Sequence, residues 1–437
     1  MMRVRTLVLP LLLLLSGCGV VSFPDPALES AVRTAIGKPT GDICGLDLLL
    51  LCSLDASSAQ IQNLQGIENC IALTELWLDF NQITDITPLE SLVNLSTLSL
   101  TGNQVVDVSP LACLTRLRRL SLSNNEIEDL APIAQLSRLE RLSVAENRLS
   151  ALPDMSRLKD LAFLYADNNV LEDVSGLSQT LDIREIYVAN NLLPDIDALL
   201  GMAELRALRI DGNPTPDVSE GLTAFPGLET LGVSDYQVSG LDALSGFASQ
   251  LTRLVLRGPG FNNLSGLREF INLQVLRLED STVTDFLPLN ELPHLTALGL
   301  ARNGIQDLTP LSSLTRLTYV DLSGNAIMDI SNLPAFEALG GIDLAGNQIS
   351  DVTSLVDPAI QYGATLEPDF PSLFLLFDWN PLALSLPLPI VNILNNPLSE
   401  SAACEVIQSL EDLGGTILTD LSCGGKGEGA RRSFGYN

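Results

Sequence analysis

The sequence predicts an α/β solenoid with a parallel sheet on its concave side, and three observations lead there. Asparagine recurs every 22 residues at Asn81, Asn103, Asn125, Asn147, Asn169, Asn191 and Asn213, then again at Asn303, Asn325 and Asn347. Each closes a stretch of the form L-x-x-L-x-L-x-x-N, whose leucines alternate with other residues at period two, as a strand with one buried face requires. The consensus after the asparagine reads I-x-D-[IVL]-[ST]-P-L, as in Asp85-Ile86-Thr87-Pro88-Leu89 and Asp307-Leu308-Thr309-Pro310-Leu311. Proline there disfavours a strand and suits the first turn of a short helix. Repeats of this kind specify a leucine-rich-repeat horseshoe with short convex 3₁₀ or helical turns.

In chain order, residues 1–17 come first. Met1-Met2-Arg3-Val4-Arg5 is basic, and Leu7 to Leu15, interrupted by Pro10, is apolar, the shape of a secretory signal. The run falls short of the about 20 residues that a membrane-spanning helix needs. Leu15-Ser16-Gly17-Cys18 resembles a bacterial lipobox. That resemblance implies cleavage before Cys18, acyl chains such as palmitate on the new N-terminus, and a lipid-anchored place in the cell envelope. Gly19, where an Asp would retain the protein at the inner membrane, points to the outer membrane.

Residues 18–53 read as a linker and helical cap. Asp25 is a good N-cap, Pro26 fits the first turn, Leu28, Val32, Ala35 and Ile36 make an apolar face, and Gly37 ends the helix. The solenoid is assigned to 54–397, about fifteen coils. Its frame extends back to Ala59 and forward to Asn380. Three degenerate coils place Tyr236, Pro259 and Ser281 at the asparagine slot, with two spacings of 23, and predict a broken asparagine ladder there. Residues 398–423 read as a C-terminal cap of helix, Gly-Gly stop and strand, and 424–437 as a flexible tail.

Export implies a disulfide-permissive compartment. Pairs are assigned as Cys404 with Cys423 and Cys44 with Cys52. Cys70 shares a slot with Leu92 and Leu114 and reads as a buried free thiol, and Cys113 is two coils away, too far for a bond to it.

With 24 Lys+Arg against 53 Asp+Glu, the net charge is −29, which excludes a nucleic-acid partner. No Cys/His cluster suggests a metal, and no motif suggests a cofactor. The one histidine, His294, falls at a variable turn position without catalytic partners. Most aspartates, among them Asp85, Asp107, Asp129, Asp173 and Asp195, occupy one repeat slot, a structural position. Catalysis is not expected.

The cap "FPDPALESAVRTAIGKPTGDI", the "LDAS…GIENC" stretch and the N-Q-I-T-D-I-T-P-L repeats resemble the internalin-like leucine-rich-repeat surface proteins of bacteria. The resemblance implies a curved parallel sheet used for recognition, often of host or neighbouring-cell proteins. The chain departs from that pattern in its lipobox, in lacking a cell-wall sorting signal or immunoglobulin-like domain after the repeats, and in its three irregular coils.

Outward strand positions are free of packing demands, so their identity carries information. They include Trp77, then Thr97, Ser99, Thr101, Ser121 and Ser123, then Phe163, Tyr165 and Tyr187, then Arg209, Arg253, Arg257 and Arg277, and finally Tyr319, Asp321, Asp343 and Asp378. Tyr, Trp and Arg are the residues most enriched in binding hot spots. Trp77, Tyr165, Tyr187, Arg209, Arg253, Arg257, Arg277 and Tyr319 are therefore the candidate partner-binding residues. A plainer reading pairs the arginines with Glu185, Asp211 and Glu279 to cover a polar ladder. The expected function is a monomeric, lipid-anchored binding module for a protein, with a glycan as the alternative ligand. The competing function is a structural scaffold subunit of an envelope complex.

Overall fold

A computed structural model of the chain describes residues 19–362, 390–398, 400–412 and 416–419. They form two compact units, one holding residues up to Leu205 with Asn213–Thr215, the other Arg206–Gly212 with Pro216 onward.

The first unit opens with α1 (Pro26–Ile36). Asp25 caps it by accepting from Ala27 N at 2.9 Å and Leu28 N at 3.2 Å, and Gly37 closes it in the left-handed region at φ 66°. The second carboxylate oxygen of Asp25 accepts from Gln62 N at 2.8 Å and Asn63 N at 3.0 Å, tying the cap to the first coil. Burial pushes this carboxyl up, but the four N–H donors outweigh it and hold it below its usual value. Leu28 and Val32 are buried, whereas Ala35 is exposed and Ile36 half-buried, so the apolar face is narrower than expected.

Seven short parallel strands follow: β1 (Ser53–Asp55), β2 (Glu75–Trp77), β3 (Thr97–Ser99), β4 (Arg119–Ser121), β5 (Arg141–Ser143), β6 (Phe163–Tyr165) and β7 (Glu185–Tyr187). Register puts Leu54, Leu76, Leu98, Leu120, Leu142, Leu164 and Ile186 in one row, all buried. A large branched aliphatic side chain at every step lets the coils pack closely on one another. The asparagines form a second row. Asn103 donates to Leu78 O of the preceding coil at 3.0 Å and to Leu100 O of its own at 3.0 Å, while accepting from Ile83 N at 3.0 Å. Asn125, Asn147, Asn169 and Asn191 repeat these bonds. The bend thereby keeps its backbone groups paired. Proline stands in the first turn of the 3₁₀ segments Thr87–Leu89, Ser109–Cys113 and Ala131–Gln135. Asp85 and Asp107 accept from the backbone N–H two residues on, at 2.9 and 2.8 Å, the structural role their slot predicts.

The second unit carries β8 (Ala207–Arg209), β9 (Thr230–Ser234), β10 (Arg253–Arg257), β11 (Val275–Glu279), β12 (Ala297–Gly299), β13 (Tyr319–Asp321), β14 (Gly341–Asp343), β15 (Ile390–Asn392), α2 (Glu400–Asp412) and β16 (Thr416–Leu418). Leu208, Leu231, Leu254, Leu276, Leu298, Val320 and Ile342 are in register. The irregular coils do not break the sheet. Here β9, β10 and β11 lengthen to five residues each. In the first of these coils the asparagine slot is refilled as well. Gln237, fully buried, donates to Ile210 O at 2.9 Å and accepts from Ser234 N at 2.7 Å, while the expected slot residue Tyr236 is exposed. Ser281 bonds through both N and Oγ to Asn303 Oδ1.

The forward extension to Asn380 needs correcting. The next strand after β14 pairs Ile342 with Val391, and Asn396 takes the slot, donating to Leu344 O at 2.9 Å and accepting from Ile349 N at 3.1 Å. Asn380 and Asp378 lie outside the described residues.

Cys52 is a free thiol, so the expected Cys44–Cys52 bond does not form. Cys44 and Cys404 are each disulfide-bonded. Cys18 and Cys423, and with Cys423 the expected Cys404–Cys423 staple, fall outside the described residues. Cys70 is free and buried, and its thiol is pushed up to about 12, by burial first and then by Glu68. Among the described residues no helix is long and apolar enough to cross a membrane.

Candidate functional site

The inward half of each strand is committed to the leucine row, so the opposite face is the one left to carry a candidate site. In the first unit that face begins at β2 with Glu75 and Trp77, both half-buried. Beyond Trp77 lies a low stretch of hydroxyls, where Thr101 and Ser121, and Ser123 and Ser143, bond at 2.7 Å. Asp79 accepts from Thr101 N at 2.8 Å and from the Ser99 hydroxyl. Burial dominates there and raises the Asp79 carboxyl above its usual value.

At β5 to β7 the face becomes aromatic. The Arg141 guanidinium lies 4.3 Å from the centroid of Phe163 and 5.4 Å from that of Tyr165. Its Nη1 donates to Tyr165 Oη at 3.0 Å, and that hydroxyl donates to Glu185 Oε2 at 2.7 Å. Tyr165 and Tyr187 meet edge to face, with centroids 5.1 Å apart. Burial, and then the Glu185 carboxylate, hold the Tyr165 phenol protonated well above its usual range. Arg141, Phe163 and Glu185 stay half-buried above this layer.

In the second unit the face carries buried charge. Arg209 and Asp211 form a two-pronged pair, Nε to Oδ1 and Nη2 to Oδ2 both at 3.2 Å, with side chains 2 and 3% exposed. On the neighbouring strand sits Gly232. A Cβ there would stand 2.6 Å from Asp211 Oδ1 and 2.8 Å from Arg209 Cγ, so only glycine lets the pair lie across the sheet. Arg277 pairs with Glu279. Arg302 reaches Glu279 Oε2 at 2.8 Å and Asp280 Oδ1 at 2.9 Å, and Arg257 reaches Asp280 Oδ2 at 3.3 Å. Farther along, burial and then Asp321 push the Asp343 carboxyl up to about 7, against the lowering bonds from Ala345 N and Asn392 Nδ2.

The eight candidates thus divide. Tyr165, Tyr187, Arg209, Arg277 and Tyr319 are at most 5% exposed, contrary to the expectation that outward slots stand free. Trp77, Arg253 and Arg257 are half-buried. The plainer pairing holds for Arg209 with Asp211 and Arg277 with Glu279, while Glu185 takes the Tyr165 hydroxyl instead. Sequence reasoning passed over Arg141, Arg302 and Asp280. Arg302 and Asp280 have positive φ, 58 and 51°, at the position before the slot, where Gly102 and Asn124 stand in other coils; a charged residue there was the available signal.

The leucine-rich-repeat family model, two copies, matches residues 93–135 and 293–335. An internalin from Listeria monocytogenes superposes over 79% of this chain and 96% of its own, at 25% identity and a TM-score of 0.53. The fold is a leucine-rich-repeat solenoid. Listeria internalin C2 is 30% identical over 50% of this chain and 99% of its own, with a TM-score of 0.48. A leucine-rich-repeat protein of Leptospira interrogans is 20% identical over 86 and 97% of the two chains, with a TM-score of 0.48. No curated protein sequence matches. Solenoids of this type present an extended sheet face and are typically protein-binding modules.

Proposed function

We propose that this leucine-rich-repeat solenoid is a non-catalytic recognition module of the bacterial envelope, anchored through lipid on Cys18 at the outer membrane and binding a protein on the sheet face of its first unit. The observation that supports it most is the Arg141–Phe163–Tyr165–Glu185–Tyr187 cluster. Its composition is that of a binding hot spot. Its hydrogen bonds and ring contacts fix the side chains before any partner arrives, which lowers the ordering cost of binding. In this reading Trp77, Phe163 and Arg141 touch the partner, and the buried tyrosines support them. In the second unit, Arg253 and Arg257 are the accessible members of the predicted set, and Arg209, Arg277 and Tyr319 brace the sheet.

The test is capture by the purified mature protein, followed by binding of the captured partner to variants. Phe163→Ala and Arg141→Ala should each weaken binding by about 2 kcal/mol or more, while Glu90→Ala on the far side of the coil leaves it unchanged. Loss confined to Glu90 and its neighbours would favour the scaffold function, and a captured glycan would replace the protein ligand. The anchor has its own test, since one sulfur cannot carry both a thioether and a disulfide. The N-terminal peptide should carry diacylglyceryl-Cys18; an uncleaved leader, or Cys18 in a disulfide with Cys44, overturns the anchor.

A further inference from the structure

Exposed apolar side chains are ordinary when scattered and informative when contiguous. No other stretch among the described residues matches residues 46–50, where Leu46, Leu49 and Leu50 are 57, 50 and 88% exposed within five residues. They stand on a run of turns closed by Asp47 N to Cys44 O, Leu49 N to Leu46 O and Leu51 N to Leu48 O, with Leu48 and Leu51 turned into the core. The chain enters the first unit directly alongside. Val21 N donates to Ile43 O at 2.8 Å, Gly45 N donates to Gly19 O at 3.2 Å, and Val20, 61% exposed, bridges Cys44. The residue next after Cys18 is therefore hydrogen-bonded to the residue that precedes Leu46.

We propose that Val20, Leu46, Leu49 and Leu50 form a seat that dips into the surface of a lipid bilayer and holds the first unit against it. This rests on the lipid-anchor reading. Two features single out a bilayer as the occupant. Acyl chains on Cys18 would enter the membrane within a residue of the patch, so the leucines are carried to the interface whenever the anchor is engaged. The turn also presents no uncompensated charge: Asp47, its one ionised residue, pairs with Lys38 at 2.7 Å and accepts from Cys44 N at 2.7 Å. In a chain of net charge −29, that neutral apolar spot suits a zwitterionic surface.

The experiment places Leu50→Trp in the mature, full-length lipoprotein, reconstituted in phosphatidylcholine vesicles whose acyl chains carry bromine. Leu50 is 88% exposed, so the larger ring meets no packing conflict. Relative to the unsubstituted protein, the added indole fluorescence should shift to the blue and fall about two-fold or more on bromination, as expected for a group buried at the headgroup–acyl boundary. A companion variant, Leu46→Ser with Leu49→Ser, should reverse the shift while leaving thermal unfolding unchanged. The N-terminal peptide is weighed in the same sample. Lipid present with a water-like, unquenched indole overturns the seat and leaves the anchor standing. A blue shift without bromine quenching means that a second copy covers the patch, and also overturns it. Lipid absent from Cys18 overturns the anchor and the seat together.

Discussion

From Asn81 to Asn213 a coil is held twice, by the leucine row and by a side-chain amide that spans two coils. From Tyr236 to Ser281, in the second unit, the amide is absent or moved, and the coil is held differently. There the strands extend from three residues to five. Gln237, one residue beyond the vacant slot and one methylene longer, still reaches the carbonyl of the preceding coil. The faces differ in the same sense. The first unit lays rings and hydroxyls across its strands, whereas the second buries whole ion pairs among them. The bend of a coil thus requires paired backbone groups, and the repeat asparagine is one of several ways to supply them.

The sharpest way to break this comparison is to remove a slot residue from each unit. Asn147→Ala orphans Ile127 N and leaves Leu122 O and Val144 O with one side-chain donor each, from Asn125 and Asn169, and should cost about 3 kcal/mol, whereas Ser281→Ala, where backbone bonds persist, should cost about 1 kcal/mol. Urea unfolding followed by hydrogen exchange of each segment measures both. Equal losses would show that the two regions are held alike.

Gly232→Ala comes next. Its Cβ would collide with Asp211 and Arg209, and displacing that buried pair should cost roughly 2–3 kcal/mol by differential scanning calorimetry. Gly246→Ala, where a Cβ meets nothing within 4 Å, is the control for added bulk.

One carboxyl in each unit responds to acidity with opposite sign. The folded Asp25 carboxyl lies below its usual value of 3.8, so its contribution to the first unit is present above that value and is lost as pH falls through the lowered one. Asp343 is raised to about 7, so its contribution to the second unit is present below 3.8 and is lost as pH rises from there through about 7. Hydrogen exchange at pH 5.5 and 8 should show the segment around β14 opening more readily at pH 8, and Asp343→Asn should abolish the difference. No change around β14 between the two pH values would remove the buried-acid account of that face.

The smallest effect is also diagnostic. Tyr236→Asn restores the repeat sequence, yet Gln237 already holds the carbonyl, so stability should move by less than about 0.5 kcal/mol. A clear gain in the urea midpoint would mean that Gln237 is a poor substitute.

Much of this molecule is local, and local features were legible. The 22-residue period set the register of every strand from β1 to β7, because inward leucines at period two admit one alignment and a slip would turn them to solvent. Asp25, Pro26 and Gly37 bounded α1, because capping uses groups within a few residues of each other. The role of the repeat aspartates was legible for the same reason. What the tertiary structure decided involves neighbours one coil away. Tyr165, Tyr187, Arg209 and Arg277 occupy outward slots and are nonetheless buried, because large side chains on parallel strands about 4.8 Å apart cover one another. The choice of Asn396 over Asn380, and the failure of Cys44 to meet Cys52, are likewise matters of which segments stack. Periodicity fixes the direction in which a side chain leaves the backbone; what it meets there depends on the size and charge of residues 22 positions away, and only the assembled coils bring those together.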